Sequence, residues 1–140
     1  MVKAIPYLSV SSGKQAIELY SKVFNAKELS RMPYTDDVGK SMGFPDDYDY
    51  DNSTMHASIG LGDAIVYLAD SGSSKSDMGN VDVLLEIDNK HEIQSYFENA
   101  KKEGFTIAWE LEKTFWGAWY AKVVDPFGIG WQLNFQEDEM

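Results

Sequence analysis

Two stretches of the chain carry the same order of hydrophobic and polar positions. In the first, Leu8-Ser9-Val10 alternates as a short strand, and Ser12-Gly13-Lys14-Gln15 follows as a helix cap with a glutamine three residues on. Ile17, Tyr20, Val23 and Phe24 then recur at helical spacing, which predicts an amphipathic helix. In the second, Leu85-Glu86-Ile87 reads as strand, Asn89 caps with Glu92 three residues on, and Ile93, Tyr96, Phe97 and Ala100 share one face. Ser12 therefore corresponds to Asn89, Gln15 to Glu92 and Tyr20 to Phe97.

Strand-like segments, not further helices, follow each of these. They are residues 27–34, 54–61 and 63–69 in the first half, the last two joined at the tight-turn pair Gly62-Asp63. In the second half they are residues 105–112, 118–124 and 129–136, with Asp125-Pro126-Phe127-Gly128 as a turn. The predicted fold class is α+β: two β-α-β-β-β modules, about residues 3–70 and 81–136, within a single domain of 140 residues. Neither half has enough helix to cover both faces of its sheet. Each helix is expected on one face, leaving the other faces to form a curved mixed sheet around a shared cavity. Residues 35–53 and 70–80 have no periodicity and read as loops, the first long enough to act as a lid.

Composition narrows the function classes. The chain has no cysteine, so disulfides, thiolate metal sites and cysteine nucleophiles are excluded. With 12 Lys and Arg against 23 Asp and Glu the formal charge is −11, which repels phosphate backbones and anionic lipid surfaces and draws in cations. Nucleic acid and membrane are therefore not expected partners. The opening Met1-Val2-Lys3-Ala4-Ile5-Pro6 lacks the apolar run of a signal peptide, and a cytoplasmic location is expected.

Three groups of residues carry a resemblance. Pro6-Tyr7-Leu8 through Phe24-Asn25-Ala26, Met55-His56-Ala57 through Gly62-Asp63, and Phe115-Trp116-Gly117 through Asp125-Pro126-Phe127-Gly128-Ile129-Gly130-Trp131-Gln132 resemble PhnB-like proteins of the vicinal oxygen chelate (glyoxalase, bleomycin resistance and dioxygenase) superfamily. The resemblance spans nearly the whole chain and implies paired β-α-β-β-β modules enclosing a ligand pocket, commonly in a homodimer. It does not fix a reaction, because the superfamily holds both metal-dependent enzymes and proteins that sequester small molecules.

In the superfamily's enzymes, His or Glu side chains on the first and last strands of each module hold a divalent metal. Carried onto this chain, those positions fall at about Ile5 or Pro6, at Tyr67, at Asp82 and at Gln132. Only Asp82 is a good ligand, so the resemblance implies a lost metal site, with no metal and no cofactor expected. Of the two histidines, His91 stands beside a helix cap and reads as solvated, while His56 lies on a strand and is a candidate for ligand contact or proton transfer. The acidic run from Asp46 to Asn52 fails as a calcium loop, having Asn52 where a glycine is needed and Ser58 where a bidentate glutamate is needed. No glycine-rich turn for S-adenosylmethionine and no G-x-S-x-G elbow is present.

Along the last strand, alternation puts Trp131, Leu133 and Phe135 in the core and turns Gln132 and Asn134 toward the cavity. His56, Tyr67, Asp82, Trp119, Gln132 and Asn134 form the expected ligand-binding set, with catalytic residues unassigned. An aromatic wall with a few placed amides suits a small aromatic or cationic molecule. The expected function is small-molecule binding without metal-dependent catalysis. The alternative is an enzyme of the same superfamily with a degenerate or unusual active site.

Overall fold

The computed structural model describes residues 3–70 and 81–138. The elements run β1 (Tyr7–Val10), α1 (Gly13–Phe24), β2 (Lys27–Met32), α2 (Asp36–Ser41), a 3-10 turn at Tyr50–Asn52, β3 (His56–Leu61), β4 (Ala64–Asp70), β5 (Asp82–Glu86), α3 (Lys90–Lys102), β6 (Thr106–Lys113), β7 (Ala118–Val124) and β8 (Gly130–Gln136). The fold is α+β and the repeat is explicit: one four-stranded sheet is ordered β1-β4-β3-β2, the other β5-β8-β7-β6. In each, the first strand pairs in parallel with the last, and the remaining pairings are antiparallel.

The residues fall into two compact units. The first holds β1, residues 13–21 of α1, β2, α2, β3 and β4; the second holds Lys22–Phe24 and the elements from β5 to β8. The two predicted helix caps are both formed. Ser12 Oγ accepts from the Gln15 amide at 3.2 Å, and Asn89 Oδ1 accepts from the Glu92 amide at 2.8 Å, each relieving an amide that the helix leaves unpaired. Asn25 ends α1 in the left-handed region (φ 59°), a conformation that asparagine tolerates better than other side-chain-bearing residues. Tight turns also stand where expected: Leu61 pairs with Ala64 across Gly62-Asp63, and the Gly128 amide donates to the Asp125 carbonyl at 3.0 Å.

In the first unit, Asp70 fixes the start of α1. One of its oxygens accepts from the Gly13 amide at 2.6 Å and the other from the Thr54 amide at 3.0 Å. Gly13 must be glycine for this approach, because a Cβ there would lie 2.7 Å from Thr54 Cβ. The alternate residues Leu8, Val10, Ala57, Ile59, Val66 and Leu68 are buried, so each strand turns one face to the interior.

In the second unit, α3 packs against β6, β7 and β8, burying Ile93, Phe97 and Ala100. Trp131 and Leu133 on β8 and Ala121 and Val123 on β7 are fully buried on that helix side, and the Phe24 ring lies 4.7 Å from Trp131. Trp131 is thus core, and its indole N–H is satisfied by buried Asp125 at 2.9 Å.

Residues 35–53, expected as loop, contain α2 and the 3-10 turn. Thr35 caps α2 by accepting from the Val38 amide at 3.4 Å, and Asp36 and Asp37 stand in its first turn, where the helix dipole favours negative charge. Six residues give too little sequence for a hydrophobic period to show. Of the second expected loop, residues 71–80 lie outside the described residues. Among the described residues no helix is long and apolar enough to cross a membrane.

Candidate functional site

Each sheet turns its buried alternate residues one way and presents a second, accessible face, and most of the expected ligand-binding residues stand on these accessible faces. In the first unit, strand register places Tyr7 beside Tyr67, Ser58 beside Tyr67, and Met32 beside His56. The three rings gather: His56 and Tyr67 lie 4.8 Å apart edge to face, and Tyr7 and Tyr67 lie 5.9 Å apart in the same manner. The Tyr7 hydroxyl and His56 Nδ1 share a hydrogen bond at 3.1 Å. His56 and Tyr67 are therefore neighbours, and Tyr7 joins them as a partner that the sequence reading passed over. Its signal was available, since Tyr7 alternates with the core residues Leu8 and Val10.

In the second unit, register aligns Asp82, Leu84 and Glu86 of β5 with Gly130, Gln132 and Asn134 of β8, and these in turn with Val124, Lys122 and Tyr120 of β7. The polar groups form a directional chain. The Tyr120 hydroxyl donates to Gln132 Oε1 at 2.8 Å, and Gln132 Nε2 donates to Asp82 Oδ2 at 2.9 Å. The Lys122 ammonium meets the same carboxylate oxygen at 2.9 Å. Because the amide both accepts and donates, its two ends are assigned by their partners. Asn134 donates to Glu86 Oε1 at 3.0 Å farther along the face.

Asp82's other oxygen faces Gly130, and a Cβ at that position would collide with Oδ1. A side chain at position 130 would force the Asp82 carboxylate to shift from its contacts with Lys122 and Gln132. The Lys122 ammonium holds the Asp82 carboxyl below its ordinary range, the Gln132 amide assists, and partial burial opposes both. Reciprocally, Asp82 raises the ammonium above the ordinary lysine value. Burial pushes the Tyr120 hydroxyl up, so it stays a donor at neutral pH.

Trp119 stands apart from this set. It faces opposite to Tyr120 and Lys122, partly buried on the helix side, with the Lys90 ammonium 4.5 Å from the centre of its ring. Strand alternation is the reason: Trp119, Ala121 and Val123 form the apolar half of β7. The same alternation could have identified Lys122 and Tyr120 from sequence as members of the accessible face.

Trp109, by contrast, lies on the accessible face. It is paired with Lys122 across β6 and β7, is 53% exposed, and meets the Tyr120 ring edge to face at 6.2 Å.

The donor set does not fit a divalent ion. Asp82 is the one strong ligand among the positions that the resemblance assigns to metal, and one of its carboxylate oxygens is already engaged by an ammonium and an amide. A cation placed there would stand against the like charge of the Lys122 ammonium. Among the described residues no three His, Cys, Asp or Glu side chains gather to replace it. A separate groove of about 480 Å³ in the first unit, lined by Lys27, Leu29, Gly60 and Ile65 among others, contains none of the expected site residues.

Comparison with known proteins agrees with this architecture. The sequence pattern of the Glyoxalase/Bleomycin resistance protein/Dioxygenase superfamily matches residues 5–133. The uncharacterized protein Rv0887c of Mycobacterium tuberculosis is 29% identical over 137 residues, 92% of this chain and 71% of the relative. Protein PA1353 of Pseudomonas aeruginosa superposes with a TM-score of 0.75 at 22% identity, covering 99% of this chain and 100% of the other. A PhnB protein from Bacillus cereus superposes with a TM-score of 0.74 at 17% identity, covering 96% and 99%. A mutant of the fosfomycin resistance protein FosX from Listeria monocytogenes, in complex with Mn(II) and 1S,2S-dihydroxypropylphosphonic acid, gives 0.67 at 14% identity, covering 96% and 93%. At these identities the structural likenesses speak for the fold alone.

Proposed function

The chain belongs to the glyoxalase, bleomycin resistance and dioxygenase superfamily, and within it we propose that this protein binds a small aromatic or cationic molecule without metal-dependent catalysis. The observation that supports the reading is the state of Asp82. Where a superfamily enzyme needs a free carboxylate for its metal, this chain has a carboxylate held by Lys122 and Gln132. A FosX mutant of the same fold was crystallised with Mn(II); in this chain the Lys122 ammonium pairs with Asp82. The remaining groups of that face, Tyr120, Asn134 and exposed Trp109, are of the kind that supply contact area and orientation to an organic ligand. A cytoplasmic homodimer is part of the proposal, and sedimentation of the purified chain tests the dimer.

Thermal unfolding tests the reading. Soluble aromatic and organic-cation probes are expected to raise the melting temperature with concentration, by about 2.7 kcal/mol of added stability at a hundredfold excess over Kd. Mn(II), Ni(II) and Zn(II) salts are expected to leave it unchanged. Stabilisation by a metal, lost in Asp82→Asn, would overturn the proposal.

A second reading, an enzyme of the superfamily with an unusual site, is favoured by the Tyr7–His56 hydrogen bond. An imidazole and a phenol on an accessible face are suited to proton transfer. That reading requires a turnover that His56→Gln and Tyr7→Phe each abolish; turnover surviving both would remove it.

A further inference from the structure

The edge strand β6 is deformed at Trp109, and the deformation has a chemical result. Thr106 pairs with Val124 and Ile107 with Val123, but the register then slips, so that Trp109 pairs with Lys122. It slips again before Glu112, which pairs with Tyr120. Had the first register continued, Ala108 would oppose Lys122 and Trp109 would oppose Ala121, on the helix side. The first irregularity therefore turns Trp109 onto the accessible face, and the second turns Glu112 onto the same face. There the Trp109 indole N–H donates to Glu112 Oε1 at 3.0 Å.

An exposed tryptophan normally keeps its rotamer freedom. This one is held by a carboxylate at its edge and by the Tyr120 ring, 6.2 Å away and inclined 75°. Its partner carboxylate adds negative charge beside two electron-rich rings, and the chain as a whole carries a net charge of −11. Weakly hydrated cations are attracted to the faces of such rings, most strongly to tryptophan. Because the ring is already ordered, little rotamer entropy is lost on binding.

We propose that Trp109, Glu112 and Tyr120 form a recognition site for an organic cation, a quaternary or alkylated ammonium group or a charged heteroaromatic ring. The site rests on the small-molecule-binding reading and narrows it to a ligand class. Trp109 supplies the face, Tyr120 the second wall, and Glu112 both the charge and the hydrogen bond that aims the indole. Asp82 is not part of it, since Lys122 neutralises that carboxylate.

Calorimetric titration of the full chain with benzyltrimethylammonium, and in parallel with benzyl alcohol, which keeps the ring and lacks the charge, tests the site. The cation is expected to bind at least about tenfold more tightly than the alcohol, with an affinity that falls as salt rises. Trp109→Leu should weaken the cation about tenfold. Glu112→Gln keeps an acceptor for the indole while removing the charge. It should weaken binding about threefold or more and flatten the salt dependence. Both positions are exposed, so unchanged circular dichroism and melting temperature should accompany both losses. Equal affinity for the two probes, or cation affinity unmoved by both substitutions, would overturn the site. Binding of benzyl alcohol alone would overturn the site and leave the small-molecule reading standing. Absence of binding by both probes would overturn both.

Discussion

At the scale of single residues, Asp82 decides how the second sheet's accessible face behaves. Its carboxyl is held below the ordinary range chiefly by the Lys122 ammonium. A carboxyl depressed in the folded state adds stability above its unfolded pKa, near 3.9, and that contribution disappears as pH falls through the lower folded value. Asp82→Asn should therefore lower stability modestly at neutral pH and leave it little changed well below about pH 4, which flattens the acid limb, as read by urea unfolding across pH. A steep acid limb retained in that variant would show that other carboxylates carry it. Gly130 is the second residue of consequence. Gly130→Ala puts a methyl group against Asp82 Oδ1 and should cost about 1–3 kcal/mol. The penalty should shrink when Asp82→Ala is combined with it, because the two positions share one contact.

At the scale of elements, what was legible in the sequence is what is local. Ser12 and Asn89 announce their helices because a cap acts within three residues. Gly62-Asp63 announces its hairpin because the turn's backbone demands it. Asn25 closes α1 for the same kind of reason. Asn25→Gly should be neutral or stabilising and Asn25→Ala destabilising by about 1 kcal/mol, as measured by chemical denaturation. The reverse order would contradict the left-handed cap. What was not legible is the slip in β6. Strict alternation from Ile107 predicts that Trp109 is buried, and only the pairing with β7 shows otherwise. Trp119 is a different case. The apolar alternation Trp119, Ala121, Val123 was readable, and it places this ring with the helix, where Lys90 lies above it.

At the scale of the whole molecule, the repeated pattern around Ser12 and Asn89 foretold two sheets of identical order, and both exist. A duplication is readable because it reports topology twice, so that each half supports the other. The site was readable only in part. His56 and Tyr67 share the first sheet's accessible face, and Asp82, Gln132 and Asn134 share the second's. Lys122 was missed because a lysine on a strand usually reads as a solvated residue. Its significance depends on Asp82, which lies on β5 and reaches it only across β8. That pairing bears on the proposed function, since it sets a positive charge against the one strong ligand among the positions that the resemblance assigns to a metal.

Metal content of the purified, untagged chain after exhaustive dialysis, measured by plasma mass spectrometry beside the Asp82→Asn variant, tests this claim most directly. Metal far below one ion per chain in both proteins is the predicted result. Zinc, nickel, manganese or iron at about one ion per chain, lost in Asp82→Asn, would contradict it and make a metal-dependent enzyme the leading account.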